Sequence, residues 1–344
     1  MQTERTEPRQ AMEDANMMSQ AAVMPSTLGC VDLVLLKMEA DSSAMPARPA
    51  DPRFEVDGRS YTLTVARTRT DRIAAYRLVF DTYHAQGFAE PGALPLWYSI
   101  HNCLPETVTF LVRNEDGAPV ASGTVVPDSP FGLPLERMYP DEVDTLRRAG
   151  RRVCEINSLV SCAASEGWRG RTIIMEIFKA GLWYARDILG ATDWLCVTSP
   201  EHARFYRHAL LLDEIGPLRQ DPHANGAASV LLRLDTTTAE AAFQRKYEGR
   251  EGARNLYRFF CPSRTDVAWL ETWMRQEIRP VDEADFCHFF LETQNLIHGL
   301  SPEQFEFLQT VFPGFRLWTP SSWLGPATNE CPAPRLGESC AEAV

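Results

Sequence analysis

No apolar run in this 344-residue chain approaches the roughly 20 residues a membrane-crossing helix needs. The longest candidate near the N-terminus, Cys30 to Met38, contains Asp32 and Lys37 and follows an acidic, polar stretch. Neither a membrane span nor a signal peptide is expected there. Leu28-Gly29-Cys30 has the form of a lipoprotein cleavage site but lacks the apolar region that should precede it. Positive charge is also short: 34 Lys plus Arg stand against 46 Asp plus Glu, a formal net charge of -12. That balance argues against nonspecific nucleic-acid binding, which depends on an excess of Lys and Arg. No Cys-x-x-Cys and no His-x-x-x-His occurs. The nine cysteines, from Cys30 to Cys340, are scattered and odd in number, which fits reduced thiols in a cytoplasm better than a disulfide framework or a zinc site. A cytoplasmic location and no metal are expected. Internal repeats are absent.

What is present is an ordinary globular composition, 44% apolar and 23% charged, on a chain long enough for a sizeable core. Residues 1–52, rich in Met, Ala, Ser, Pro and Glu, read as a disordered segment with a short helix near Val31–Met38. Residues 319–344 read as a disordered tail. Between them, Tyr61 to Ala66 alternates like a strand. Thr70 then caps a helix with Ile73, Tyr76, Phe80 and Tyr83 on one face. Thr107–Val112 and Val120–Val126 form a hairpin through Asp116-Gly117. Arg152–Val160 is a strand, and Arg171–Leu189 is a helix ended by Gly190. Trp194–Val197 is a buried strand. Ser199-Pro200 opens another helix, and Leu212–Leu218 and Ser229–Leu234 are two final strands. A mixed β-sheet flanked by helices follows, an α/β (α+β) domain over residues 53–236. Residues 237–318 read as an all-α C-terminal extension, with a capping box at Ser301 to Gln304 and an apolar stripe of Trp269, Leu270, Trp273 and Met274. The extension either packs on the core or holds a partner.

One residue stands out chemically. Glu155 lies inside the apolar strand Val153-Cys154-Glu155-Ile156-Asn157-Ser158-Leu159-Val160, where carboxylates are rarely buried without a reason. Partial burial would raise its pKa toward that of a general base. The alternative is a strand-edge glutamate paired with Arg152 or Arg171. Six arginines, Arg147, Arg148, Arg151, Arg152, Arg169 and Arg171, crowd around this strand, broken only by Glu155 and Glu166. They form either a docking surface for an acidic partner or phosphate, or a solvated charge run.

The strings Tyr76-Arg77-Leu78-Val79-Phe80 with Gly87-Phe88, Asp128-Ser129-Pro130-Phe131-Gly132-Leu133-Pro134-Leu135, Leu146-Arg147, Gly150-Arg151-Arg152, Glu155 and His202-Ala203-Arg204-Phe205-Tyr206 resemble the N-acyl amino acid synthases. These are GNAT-like enzymes related to the acyl-homoserine-lactone autoinducer synthases. The resemblance covers roughly residues 60–235. It implies a GNAT-like fold and transfer of a fatty acyl group from a carrier thioester, on an acyl carrier protein, to the amine of an amino acid or similar small amine. A thioester is already activated, so a positioned base suffices and no tightly bound cofactor is needed. In that scheme Glu155 is the base. Tyr206 protonates the departing thiolate, unless it is simply a core aromatic. His202, four residues earlier, orients substrate or relays a proton, or is structural. Leu159 and Val160 flank the pantetheine arm, and Arg169, Gly170, Arg171 and Thr172 hold its phosphate. Arg77, Phe80 and Phe205 contact substrate, while Phe131 and Leu133 line the acyl chain. Arg147, Arg148, Arg151 and Arg152 meet the carrier protein.

The chain departs from the wider fold family at Trp168-Arg169-Gly170-Arg171-Thr172-Ile173-Ile174. There the Arg-x-x-Gly-x-Gly pyrophosphate loop is expected, and Thr172 and Ile174 stand in place of its glycines. β-Branched residues there would crowd two phosphates but admit one, which favours a carrier-protein donor over CoA. Two competing readings are a CoA-dependent GNAT N-acyltransferase with a small acyl donor and a non-catalytic acyl-thioester-sensing module.

Overall fold

The computed structural model describes residues 50–90, 94–162, 167–261 and 264–313. The helix expected near Val31–Met38, the loose N- and C-terminal segments and Glu166 lie outside the described residues.

The sheet starts with an unanticipated four-residue strand, β1 (Arg53–Val56), which hairpins into β2 (Arg59–Val65). Asp57 and Gly58 both take positive φ, 54° and 70°, as a tight two-residue turn between twisted strands requires. Helix α1 (Arg69–Ala85) begins two residues before the expected position. Thr68, not Thr70, is the cap, because Asp71 three residues on returns the hydrogen bond to the Thr68 backbone and completes a capping box. Strands β3 (Val108–Asn114) and β4 (Pro119–Pro127) form the expected hairpin. Next comes α2 (Pro140–Arg148), a helix that apolar spacing does not reveal. It is followed by β5 (Val153–Ser161), α3 (Trp168–Trp183), which runs on as a π-helical turn over Tyr184–Ile188, and β6 (Asp193–Thr198). Ser199 caps α4 (Pro200–Ala209) by accepting from the His202 N–H. Of the strand expected over Leu212–Leu218 only β7 (Asp213–Glu214) forms, and an unanticipated β8 (Arg219–Asp221) follows it; both pair with β9 (Ala227–Asp235).

The strand order is β1-β2-β3-β4-β5-β6-β9-β7, antiparallel throughout except for the central β5–β6 pair. The two sheet faces bury different things. On one, Phe110, Val125, Cys154, Ile156, Trp194 and Leu232 pack against α3 and the helices α5 (Thr236–Tyr247), α6 (Leu256–Phe260) and α7 (Arg264–Glu277) in one large apolar core. On the other, α1 meets α8 (Glu283–Phe286), its π-helical continuation and α9 (Pro302–Val311) around Tyr76, Phe286, Phe289 and Phe305. Beside that cluster, Val126, Val153, Leu195 and Leu231 are covered by residues 133–146. The extension is therefore packed into both faces. α5 starts directly at the end of β9, and the Ser301–Gln304 capping box opens α9 as expected. Leu270, Trp273 and Met274 are buried, while Trp269 stays partly exposed. A buried Arg72–Asp285 pair and an Arg67–Glu277 pair (3.0 Å) tie the start of α1 to the extension.

Candidate active site

Strand alternation sends Cys154 and Ile156 into the large core and turns Glu155, with Val153, to the opposite face. Glu155 faces Val126 on β4 and Leu195 on β6, so it sits in the sheet interior, 3% exposed. No ion pair reaches it among the described residues, and neither Arg152 nor Arg171 neutralises it. Its Oε2 accepts the Leu135 N–H at 2.8 Å, from the short 3₁₀ turn Pro134–Arg137 that crosses over the strand. Glu136 holds that turn by accepting the Leu133 N–H at 2.5 Å. Burial pushes the Glu155 carboxyl up to about 7. The Leu135 N–H, the Arg137 charge and an Asn157 hydrogen bond pull the other way and are outweighed.

Immediately beyond Glu155 the sheet opens. The parallel pairing of β5 with β6 ends at Glu155–Leu195, although β5 continues to Ser161 and β6 to Thr198. On the β4 side the register shifts between Ser122 and Thr124, opposite Ser158, whose φ is 51°. This is a bulge, the usual device for bending a strand next to a site. Gly123 makes it possible: a Cβ there would stand 2.8 Å from both Leu159 Cδ1 and Ile177 Cγ2. The result is a splayed strand pair, with Leu159 and Val160 on the lip that β6 leaves unpaired. An extended chain can lie against such an edge.

The other lip is β6 followed by α4. Tyr206 packs its ring 6.3 Å from Phe178 and 5.8 Å from Phe205, and its hydroxyl has no hydrogen-bond partner among the described residues. Burial raises its pKa strongly, which keeps it a phenol able to donate. His202 is exposed, with Nδ1 3.2 Å from the Oγ of the capping Ser199. It belongs to the helix cap, not to the buried groups.

Three residues that the sequence did not single out for chemistry complete the neighbourhood. Tyr83, near the C-terminus of α1, lies within electrostatic reach of Glu155, Arg137, Asp221 and Tyr206, and burial lifts its pKa to about 12. Arg137, in the same turn as Leu135, pairs with Asp221 at the end of β8 (Nη2–Oδ2 3.0 Å). Spacing could not have shown this, because α1, the turn and β8 are far apart in sequence.

Other expected positions are dispersed. Arg77 stands exposed on the outer side of α1, 3.9 Å from Asp81. Phe80 is buried and stacks on His84. Phe131 and Leu133 diverge and do not share a wall. Phe131 contacts His101 and, in the extension, Phe307, while Leu133 joins the cluster with Val126 and Leu195. Burial depresses the His101 pKa to about 4, so the ring beside Phe131 is neutral.

The start of the helix that carries the expected phosphate residues also differs. Helix α3 starts at Trp168, three residues earlier than expected. Arg169, Gly170 and Arg171 are thus in its first turn. Thr172 and Ile174 lie inside the helix, with the Thr172 hydroxyl bonded back to the Trp168 carbonyl at 3.1 Å. They are not loop residues, and the crowding argument against a second phosphate does not apply in that form. Arg169 is engaged with Asp57 at 3.3 Å, whereas Arg171 has no protein partner among the described residues.

The arginine patch is likewise partly spent. Arg147 is tied to Asp128, Glu136 and Asp144, and Arg151 to Asp193 and Asp235. Arg148 and Arg152 are exposed. Among the described residues no group of three or more His, Cys, Asp or Glu could hold a metal ion, and no helix is long and apolar enough to cross a membrane.

Residues 74–235 match the family model of the N-acyl amino acid synthase FeeM. No curated protein sequence matches. Solved structures that align include FeeM from uncultured soil microbes, at 21% identity over 53% of this chain and 94% of that one, TM-score 0.47. The acyl-homoserine-lactone synthase LasI aligns at 14% identity over 53% and 95%, TM-score 0.40. An N-acetyltransferase from Staphylococcus aureus Mu50 aligns at 14% over 52% and 98%, TM-score 0.34.

Proposed function

We propose that the chain is an acyltransferase that joins a fatty acyl group to the amine of an amino acid, a reading supported by the match of residues 74–235 to the model of the N-acyl amino acid synthase FeeM. The donor is a thioester on the phosphopantetheine arm of an acyl carrier protein. The observation that carries this reading is Glu155, a buried carboxylate without an ion pair among the described residues, at the point where β5 and β6 part.

The arm lies along the unpaired edge of β5, past Leu159 and Val160, with its thioester near Glu155. Its phosphate meets the first turn of α3, where the helix dipole and the Arg171 guanidinium favour an anion. The amine attacks the thioester carbonyl, Glu155 accepts the amine proton directly or through water, and the new C–N bond replaces C–S as the thiolate leaves. Tyr206, kept protonated by its burial, supplies the thiolate's proton. A positioned base contributes about 10²–10⁴ in rate. Arg148 and Arg152 are the cations left to meet an acidic carrier protein.

The test is product analysis with purified chain, acyl carrier protein thioesters and free amino acids. Release of free thiol with formation of an N-acyl amino acid from carrier-borne donors is expected, and kcat/KM with the matching acyl-CoA decides which carrier is preferred. Equal use of acyl-CoA would move the donor to CoA. Donor binding without turnover would leave only a thioester-binding module.

A further inference from the structure

The seam where α1, the Pro134–Arg137 turn and β8 meet over Glu155 holds one cation, Arg137, whose donors are not all used. A guanidinium has five N–H groups. On Arg137 Nε and Nη2 each give one to Asp221, at 3.4 and 3.0 Å, and Nη1 gives one to the Pro134 carbonyl at 3.0 Å. One N–H on each Nη therefore has no acceptor among the described residues. The other arginines of this region differ. Arg147 is saturated by three carboxylates, and Arg219 is bound by Glu142 and the Met138 carbonyl and stacks over Tyr139. Arg137 is also fixed in place. Its turn is pinned to Glu155 through Leu135, and Asp221, 10% exposed, holds it from the far side. The side chain itself remains 35% exposed, so a small solute can reach it.

A fixed guanidinium with an unused N–H on each terminal nitrogen is suited to a carboxylate. An α-amino acid places its amine two bonds from its carboxylate carbon, so a carboxylate held in this seam keeps the amine close to it, on the Glu155 side. Resting on the amino-acid acceptor proposed above, we infer that Arg137 is the acceptor-recognition residue, binding the α-carboxylate of the incoming amino acid while Asp221 positions the guanidinium. Arg77, out on the solvent side of α1, does not take this part.

The test measures binding of each standard amino acid and of its amide to the full chain by calorimetry, with a non-transferable acyl-pantetheine amide present as donor mimic. Wild type should bind at least one amino acid tenfold or more tighter than its amide, the size expected for hydrogen bonds to a charged group. Removing Arg137 alone would strand the buried Asp221 carboxylate, so the variant is Arg137→Gln with Asp221→Asn, in which the acid-to-amide ratio should fall toward one. Arg137→Lys, keeping charge without the fork, should recover part of the preference. An unchanged ratio in the double variant, or no amino acid favoured over its amide by wild type, would overturn the assignment. Amino acids that bind through Arg137 but are never acylated would instead contradict the proposed reaction and leave this binding site standing.

Discussion

Two buried carboxylates lie two residues apart along the parallel β5–β6 pair, and their surroundings could hardly differ more. Asp193, the register partner of Val153, is 0% exposed and surrounded by donors: Arg151 and Arg233 at 2.5 Å and the Thr192 hydroxyl at 2.6 Å. Glu155, 3% exposed, has a backbone N–H, an amide side chain and no ion pair. Burial of a carboxylate is thus not by itself a sign of chemistry. Asp193 is a structural anchor that fastens the start of β6 to β5 and β9. Glu155 carries a desolvation cost that the Leu135 N–H, Arg137 and Asn157 only partly offset, which raises its carboxyl to about 7.

The comparison is tested most severely by exchanging each carboxylate for its amide. Glu155→Gln should keep the fold and lower turnover by about 10²-fold or more. Unchanged turnover with normal melting would put Glu155 in the same class as Asp193. Asp193→Asn should do the reverse, costing up to about 3 kcal/mol in chemical denaturation because Arg151 and Arg233 lose their buried carboxylate and keep only Asp235, with little change in turnover per folded molecule. A large loss of turnover in a fully stable Asp193→Asn would erase the distinction. Smaller again is Tyr206→Phe, expected to slow transfer about tenfold with alkyl thioesters and less with a thiophenyl leaving group that departs without a proton. Equal slowing with both would make Tyr206 a packing residue.

Glu155 was legible in the sequence because a charged residue interrupts an apolar alternation, and such a break needs no tertiary information. The longer strands were legible from their apolar pattern, whereas β1, β7 and β8, with four, two and three residues, are too short to show a period. Helix α2 was missed because only Val143 and Leu146 offer an apolar face. Its true signals were Pro140 at the first position, Asp141 and Glu142 in the first turn and Arg147 and Arg148 in the last. Nothing in the apolar spacing marks Trp168 as the start of α3, so Thr172 and Ile174 look like loop-end positions although they lie inside the helix. Tyr83 looked like one more apolar position of α1. Arg137 looked like an ordinary surface charge, since its partner Asp221 arrives from β8. Sequence proximity groups the arginines into one run, and only packing shows that Arg147 and Arg151 face carboxylates.

The same carboxyl also makes stability depend on pH. A carboxyl whose folded pKa is raised from 4.5 to about 7 binds more protons folded than unfolded between those values, so its contribution falls as pH rises through that window. Glu155→Gln should therefore equal wild type in stability at pH 4 and exceed it at pH 8, by at most roughly 3 kcal/mol. A variant less stable than wild type at pH 8 would show the carboxylate serving the fold.

The most direct measurement is a carboxyl-carbon NMR titration of ¹³C-glutamate-labelled chain, with Glu155 assigned as the resonance missing from Glu155→Gln. A midpoint near 7, matched by a rise in kcat/KM over the same range, is the predicted result. A midpoint near the ordinary 4.5, with a rate flat through neutrality, would contradict the account.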